Sequence, residues 1–169
     1  RSMQPVDEYY SDIAGGYDEL YREEQLKKAR SMMNLLRERR VKIEGVILDV
    51  GAGTGVSSEL FASAGCRCIL LEPSRKMLAL CALNNTIRLV GSAEKIPLPD
   101  NSCDGVVSIT ALHHADVQQA LKEIERVCTM KGWIAISLLK KNADEYERIF
   151  EGYERRELGK DDVFFKIKN

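Results

Sequence analysis

Short apolar runs recur along the chain, separated by segments with a different spacing of apolar residues. The first run, residues 46–50, reads Val-Ile-Leu-Asp-Val, which is typical of a strand that is buried on both faces of a sheet. The same pattern predicts further strands over residues 68–72, 87–90, 105–109, 133–138 and 163–168.

Segments with apolar side chains at helical spacing lie before and between these runs. They predict helices over residues 23–40, 57–64, 75–83, 117–130 and 142–156. Local signals agree, because Ser74 and Asp116 are good N-caps and Gly65 can adopt the left-handed conformation that ends a helix. This alternation predicts an α/β fold with a doubly wound, mostly parallel sheet that is covered on both faces.

The chain has 169 residues and no linker-like stretch, so we predict a single domain over residues 1–169. Residues 1–42 would form an N-terminal arm and helix, and residues 45–169 the core. About 30 residues follow Leu138, enough for one helix and one strand. We therefore expect a sheet that is shortened at its C-terminal end, with an open ligand site. The last strand would then have an exposed edge, through which a second copy could pair in a homodimer.

Composition narrows the function classes. The net charge of −1 gives no overall attraction to nucleic acid or membrane, and no apolar run is long enough to span a bilayer. The basic residues, such as those near Arg39 and Arg155, are interleaved with acidic ones, which favours solvated surfaces. The five cysteines and two histidines lack the spacing of a metal site. We expect free thiols, no metal and a cytoplasmic location.

In a doubly wound sheet, ligands bind at the carboxyl ends of the strands, where the winding reverses. Four segments that each follow a predicted strand fall at that edge: residues 49–55, Glu72, residues 92–94 and residues 110–114. Their convergence predicts a ligand site there.

The first of these segments reads Asp-Val-Gly-Ala-Gly-Thr-Gly. Its glycines permit positive φ and a close approach of a ligand to the backbone, and N–H groups at the following helix start would favour an anionic group. A nicotinamide site needs G-x-G-x-x-G, but Val56 stands at the third glycine position. No Gly-Lys-Ser/Thr follows either, which argues against a phosphate-binding loop.

The acidic residues around the loop favour a ligand that joins an amino acid to a nucleoside. Asp49 would repel a pyrophosphate, but it can bind the ammonium of an amino acid directly or through water. Glu72 can accept hydrogen bonds from both hydroxyls of a ribose. A tight turn between strand and helix that binds no ligand is the alternative.

On these residues the chain resembles the class I S-adenosylmethionine (SAM) dependent methyltransferases, with a Rossmann-like fold. The resemblance covers about residues 9–140 and is carried by Leu48 to Ser57, Leu71-Glu-Pro-Ser, Gly91 to Asp104 and Ala111-Leu-His-His. The subgroup it resembles, methyltransferase type 11, includes quinone-biosynthesis, small-molecule and wobble-uridine tRNA methyltransferases. The resemblance implies SAM as cofactor and S-adenosylhomocysteine (SAH) as product.

The resemblance also implies roles for individual residues. Asp49 would contact the amino group of SAM, Gly51 and Gly53 would lie beneath the methionine part, and Glu72 would hold the ribose. The full set of expected cofactor-binding residues is Tyr9, Tyr17, Asp49, Gly51, Ala52, Gly53, Gly55, Glu72, Pro73, Ser92, Ala93, Glu94, Thr110 and Ala111.

Two parts of that set deserve separate mention. Ala93 and Glu94 would flank the adenine, and Ser92 stands where the family often has an acid that binds the adenine amino group. Tyr9 and Tyr17 resemble an aromatic N-terminal segment that closes over the cofactor; packing of this arm on the core is the alternative.

The predicted function is methyl transfer from SAM to an acceptor that the sequence does not identify: a small molecule, tRNA or a protein. His113 and His114 are the candidate catalytic residues, as a base or as groups that orient the acceptor, with packing or capping as the alternative. An open site would suit a macromolecular acceptor or a small partner protein, as in some RNA and protein methyltransferases of this fold. A non-catalytic SAM-binding scaffold is a third hypothesis.

Overall fold

One mixed sheet runs through the part of the chain that the structure, a computed structural model, describes: residues 16–140 and 143–169. Its strands are β1 (Val46–Val50), β2 (Arg67–Glu72), β3 (Ile87–Val90), β4 (Cys103–Ile109), β5 (Cys128–Leu139), β6 (Glu154–Leu158) and β7 (Asp161–Ile167). The helices are α1 (Gly16–Glu38), α2 (Glu59–Ser63), α3 (Arg75–Ala79), α4 (Val117–Val127) and α5 (Ala143–Ile149).

The strand order β3-β2-β1-β4-β5-β7-β6 confirms the predicted doubly wound α/β fold. Strands β1 to β5 are parallel, whereas β7 is antiparallel to β5 and β6 is antiparallel to β7. The winding reverses between β1 and β4, where Ile47 is opposite Gly105 and Asp49 is opposite Val107. The carboxyl ends of β1, β2 and β4 therefore meet at one edge of the sheet.

Alternate residues of the central strands enter two apolar cores, one on each face of the sheet. On β5, Trp133 and Ala135 pack with Met32, Leu36 and Phe61 of the first core. The intervening residues of β5 enter the second core, which also contains the apolar face of α4 and side chains from α5 and β7. Burial on both faces explains why the strands are continuous apolar runs in the sequence.

Local sequence signals correctly predicted the starts of two helices but not their ends. The hydroxyl of Ser74 accepts a hydrogen bond from the Met77 N–H, and the carboxylate of Asp116 accepts one from the Gln119 N–H, so both predicted N-caps are confirmed. Helix α3 ends at Ala79 instead of near residue 83. The Arg88 guanidinium, which comes from β3, donates to the carbonyl of Leu78 in the last turn and to those of Cys81 and Leu83 beyond it.

The expectation of a C-terminally shortened sheet is wrong. Helix α5 ends at Ile149, and residues 154–158, which the sequence placed in a helix, form strand β6 of an antiparallel hairpin with β7. Strand β6 lacks the alternation of apolar and polar residues because its side chains form ion pairs with the N-terminal helix region instead of entering an apolar core. Arg156 pairs with Glu38 of α1 at 2.5 Å, and Arg39, next to α1, pairs with Glu154.

The expected homodimer edge is also corrected by this hairpin. Strand β7 lies between β5 and β6, so its backbone is already paired on both sides over residues 161–165. The two edges of the sheet are β3 and β6 instead. Pairing of two copies through β7, as predicted from the sequence, would require β6 to leave the sheet.

All five cysteines are buried and unpaired, which confirms the prediction of free thiols. Burial raises the pKa of the Cys68 thiol to about 12 and that of the Cys128 thiol to about 11. Within residues 16–140 and 143–169, no three side chains of the metal-binding types are grouped as a metal site would need. No helix in the same residues is both long and apolar enough to cross a bilayer.

Candidate cofactor site

A cavity of about 660 Å³ lies at the carboxyl edge of the sheet, where the winding reverses. All four segments that the sequence assigned to this edge contribute to its wall or lie directly behind it. The lining residues are Tyr21, Gln25, Gly51, Gly53, Glu72, Pro73, Ser74, Lys76, Met77, Leu80, Gly91, Ser92, Ala93, Glu94, Ile109, Thr110, Ala111, Leu112, His113, His114 and Ala115.

Asp49 is a buried carboxylate behind the glycine loop. One of its oxygens, Oδ2, accepts hydrogen bonds from the hydroxyls of Ser57 at 2.5 Å and Ser58 at 2.6 Å. The other oxygen, Oδ1, is buried and has no hydrogen-bond partner in the part of the chain that the structure describes. Burial raises the pKa of Asp49 to about 6, although the two serine hydroxyls act against this shift. A buried acceptor without a donor is unfavourable, so Oδ1 is suited to a donor from a ligand or a water molecule.

Gly51 and Gly53 both have left-handed backbones, with φ of 73° and 57°, and both lie in the cavity wall. A Cβ on Gly51 would stand 2.4 Å from the Cβ of Ala111, which leaves no room for a side chain. A Cβ on Gly53 would stand 3.6 Å from the Tyr21 hydroxyl. The glycines therefore keep the floor of the cavity low, with Tyr21 of α1 above it.

Most N–H groups of this loop are already used within the protein. Those of Gly51 and Ala52 both donate to the carbonyl of Leu71, at 2.8 and 3.0 Å, and that of Gly55 donates to the carbonyl of Ala52. The Gly53 N–H donates to Glu72 Oε1 at 3.1 Å. These four loop N–H groups are therefore engaged within the protein, and the expectation that N–H groups at the following helix start favour an anionic group stays a prediction.

Glu72 lies at the end of β2 with both carboxylate oxygens anchored. Besides the contact with Gly53, its Oε2 accepts a hydrogen bond from the Ser74 N–H at 2.8 Å. Each carboxylate oxygen can accept a second hydrogen bond. The side chain is thus held in one orientation at the cavity wall, with capacity to accept two hydroxyl groups.

The loop after β3 forms another wall through Ser92, Ala93 and Glu94. The Glu94 carboxylate accepts a hydrogen bond from the Asp116 N–H at 3.0 Å, so it supports the start of α4. The backbone of Ser92 forms a turn with Lys95. The segment predicted to flank adenine is therefore at the cavity, while the Glu94 carboxylate is engaged in a structural contact.

A buried polar cluster supports the loop after β4. Thr110 has a left-handed backbone with φ of 51°, and its hydroxyl donates to Asp161 Oδ2 at 2.7 Å. The same hydroxyl oxygen accepts a hydrogen bond from the Lys28 ammonium at 2.9 Å, and Lys28 pairs with Asp161 at 3.2 Å. Because Lys28 belongs to α1 and Asp161 to β7, the cluster joins three elements at the cavity wall.

These observations place a glycine loop, the acid Glu72 and the segment after β3 around one cavity, with the acid Asp49 behind the loop. Residues 48–136, just over half of the chain, match the methyltransferase domain family. The chain belongs to this family. Together with the fold, this match confirms the resemblance to class I SAM-dependent methyltransferases, and the family implies the use of SAM.

Relatives of the methyltransferase domain are known in bacteria and archaea. This chain is 37% identical over 92 residues to an uncharacterized methyltransferase of Mycobacterium tuberculosis, and the match covers 53% of this chain and 38% of that one. It is 30% identical over 126 residues to the demethylmenaquinone methyltransferase of Corynebacterium glutamicum, covering 74% of this chain and 50% of that one. The chain therefore spans half or less of the length of these two relatives.

Solved structures with the same fold match nearly the whole methyltransferase domain. A protein of Pyrococcus horikoshii superposes with a TM-score of 0.75 over 96% of this chain and 99% of its own, at 17% identity. A methyltransferase of Haloferax volcanii, solved in complex with the Trm112 methyltransferase activator, has a TM-score of 0.74, with coverage of 91% and 94%. Both structures are 17% identical to this chain in sequence, so these similarities show the fold alone.

Some of the expected site residues do not line the cavity. Ala52 is buried, and a Cβ on Gly55 would meet Cys81 Sγ at 2.7 Å, so Gly55 is required by packing behind the loop. Tyr9 lies outside the described residues, as does the side chain of Tyr17. His113 and His114 do line the cavity, in a short 3-10 turn, but both side chains are exposed at its mouth with ring centroids 4.1 Å apart.

Sequence reasoning missed the contributions of α1 and α3 to the site. Tyr21 and Gln25 of α1, together with Met77 of α3, lie in the cavity wall. Nothing in the loop motifs pointed to them, because α1 approaches the site only through its packing on the sheet. The available signal was the recurrence of polar side chains at helical spacing, at Tyr21, Gln25 and Lys28.

A second cavity of about 770 Å³ lies near the amino ends of β1 and β4. Its wall includes Arg40, Lys42, Asp104 and Lys131, and it contains none of the predicted site residues. Although the two cavities are of comparable size, the carboxyl edge is the site of interest, because the glycine loop, Glu72 and the segments after β3 and β4 all meet there.

Proposed function

We propose that this methyltransferase domain binds SAM in the cavity at the carboxyl edge and transfers the methyl group of SAM to an acceptor, releasing SAH. The observation that carries the proposal is the unpartnered, buried Oδ1 of Asp49. The ammonium of an amino acid, or a water molecule beneath it, supplies the donor that this oxygen lacks. A scaffold without a ligand would have no use for an unpaired buried carboxylate oxygen.

The other walls of the cavity support the same ligand. The anchored carboxylate of Glu72 can accept the two ribose hydroxyls while it keeps its N–H partners. Gly51 lies in the floor of the cavity, where a side chain would collide with Ala111, so the backbone itself faces the ligand. Ser92 and Ala93 offer a backbone surface on which an adenine ring can lie.

The sulfonium of SAM would supply an already electrophilic methyl group, so this chain has to position the acceptor and exclude water. His113 and His114 are the titratable side chains at the cavity mouth that we propose as a base, or as groups that orient the acceptor. Both are exposed, so an acceptor would contact them as it enters.

We favour an acceptor other than tRNA, because five basic side chains of the C-terminal part and the end of α1 form ion pairs with acids. The ion pairs are Arg39–Glu154, Lys140–Glu157, Arg155–Asp162, Arg156–Glu38 and Lys166–Glu125. Paired cations contribute less to phosphate binding than free ones. A small molecule or a protein is therefore the acceptor class that the surface supports best.

Calorimetric titration with SAH tests the proposal. The wild-type chain should bind, and Glu72→Ala should weaken binding roughly 10- to 100-fold, the size expected from losing hydrogen bonds to a charged group. Glu151→Ala, which changes an exposed acid away from the cavity, is the control and should leave the affinity unchanged. No binding by the wild type at millimolar SAH would refute the function.

We also propose that a small partner protein of the Trm112 activator kind docks on the β3 edge of the sheet. Edge strands are normally protected by charge, and β6, the opposite edge, carries four charged residues in five. Strand β3 is different, because Ile87 and Val90 are 48% and 46% exposed and its charged residue, Arg88, turns back onto carbonyl groups near α3. A partner strand could pair there.

Light scattering after gel filtration tests this proposal with the Trm112 activator of Haloferax volcanii as the probe. A 1:1 complex is expected, and Ile87→Asp should weaken it at least tenfold. Met130→Asp is the matched control, because Met130 is also an exposed apolar residue but lies on β5. Absence of a complex, or equal weakening by both substitutions, would refute docking at β3.

A further inference from the structure

One face of α1 lies along the cavity with three polar residues at helical spacing. Tyr21 is at the glycine loop, since its hydroxyl is near the position that a Cβ on Gly53 would occupy. Lys28 is at the other end, since its ammonium donates to Thr110 after β4. Gln25, four residues after Tyr21 and three before Lys28, therefore lies between the glycine loop and Thr110.

Gln25 is a buried polar residue whose side chain has no hydrogen-bond partner among the residues that the structure describes. Only 8% of its surface is exposed, and it belongs to the cavity wall. In contrast to Lys28, which is tied to Thr110 and Asp161, its carboxamide has no hydrogen bond to any residue that the structure describes. Its amide atoms are not among the polar atoms that are sealed from solvent, so they open onto the cavity, where a ligand or water can complete their hydrogen bonds.

The amino acid end of SAM needs a donor for its carboxylate. Asp49 cannot supply one, because a carboxylate only accepts hydrogen bonds. The N–H groups of Gly51, Ala52, Gly53 and Gly55 are already engaged within the protein. A carboxamide is both donor and acceptor, so it suits a group that carries a carboxylate beside an ammonium.

The position of Gln25 selects the amino acid end rather than the nucleoside end. Glu72 and the loop of residues 91–94 follow β2 and β3, on one side of β1. Gln25 lies toward Thr110, which follows β4 on the other side of β1. A ligand whose ribose is at Glu72 and whose ammonium is near Asp49 has its carboxyl group on the side of α1.

We propose that Gln25 is a cofactor-binding residue that holds the carboxylate of SAM through its side-chain N–H. This inference rests on the proposed function. It predicts that Gln25 contributes to binding affinity only for ligands that carry the amino acid part. A ligand that lacks this part should therefore bind equally well with and without the Gln25 side chain.

Calorimetry with two ligands tests this assignment: SAH, and 5′-methylthioadenosine, which keeps the nucleoside and lacks the amino acid. Gln25→Ala should weaken SAH binding about tenfold and change 5′-methylthioadenosine binding less than twofold. Gln25→Glu should weaken SAH binding further, because two carboxylates repel, and again spare 5′-methylthioadenosine. Glu72→Ala should weaken both ligands, and Glu23→Ala, an exposed change on the same helix, neither.

Two outcomes would overturn the assignment. Equal weakening of both ligands by Gln25→Ala would mean that the residue acts on the shape of the cavity, and unchanged SAH affinity would mean that it makes no contact. Either result leaves the proposed function intact if the wild type binds SAH. Failure of the wild type to bind SAH would instead overturn the proposed function, and this assignment with it.

Discussion

Replacing Asp49 with asparagine is expected to weaken SAH binding at least about 30-fold and, at the same time, to stabilise the unliganded protein at neutral pH. Removing one partner of a buried, hydrogen-bonded charge pair typically costs about 2–5 kcal/mol of binding free energy. Asparagine has nearly the same shape but cannot pair with an ammonium. The binding half of the prediction is checked by SAH titration at pH 7.5.

The stability half follows from the pKa of Asp49, which burial raises from 3.8 to about 6. Between these values the folded protein holds a proton that the unfolded chain has released, so the free energy of unfolding decreases as the pH rises from about 4 to about 6. Above pH 6 the wild type bears the full cost of the buried charge, on the order of 1–3 kcal/mol. Asp49→Asn does not bear that cost.

Urea unfolding at two pH values measures this difference. Asp49→Asn should be more stable than the wild type at pH 7.5, and the difference should shrink toward zero at pH 4. Asp144→Asn, at an exposed aspartate, is the control and should show no such dependence. A variant that is less stable than the wild type at pH 7.5 would contradict the origin that we assign to the pKa shift.

Gly51→Ala is expected to destabilise the protein by about 2–4 kcal/mol and to abolish SAH binding. Its φ of 73° strains any residue with a Cβ, by about 1–2 kcal/mol. The new Cβ would also stand 2.4 Å from that of Ala111, and overpacking of this kind costs about 1–3 kcal/mol. The loop and the segment after β4 would have to separate, which deforms the floor of the cavity.

Gly152→Ala separates the two causes. Gly152 has a similar φ of 85°, but a Cβ there would meet nothing within 4 Å. Gly152→Ala should therefore show the backbone strain alone. We expect its free energy of unfolding to fall by about 1–2 kcal/mol and its SAH affinity to stay unchanged. Thermal unfolding and calorimetry of both variants measure the difference. Equal losses for the two substitutions would show that packing against Ala111 is unimportant.

The parallel half of the sheet was predictable because its strands and helices carry strong local signals. Strands β1 and β3 have the predicted ends, and Ser74 and Asp116 cap helices as expected. These elements are buried on both faces or end in side chains that bind the adjacent backbone, so pattern and structure agree.

The C-terminal hairpin was not predictable in the same way. Residues 154–158 carry charges at helical and strand spacings alike, and only their pairing with β7 and with α1 makes them a strand. The pairing energy comes from residues distant in sequence, so no local pattern encodes it. The prediction of an open, shortened fold failed for this reason.

By itself, the sequence determined the fold class, the family, and which loops would meet at the ligand edge, because buried strands, glycines and caps act over a few residues. The tertiary structure alone decided how the site is completed. It placed Gln25 of α1 beside the cavity and engaged most N–H groups of the glycine loop within the protein. It also left Asp49 Oδ1 buried without a partner among the described residues. These features depend on the packing of α1 and β2 against the loop, and burial and hydrogen-bond saturation are properties of the assembled fold.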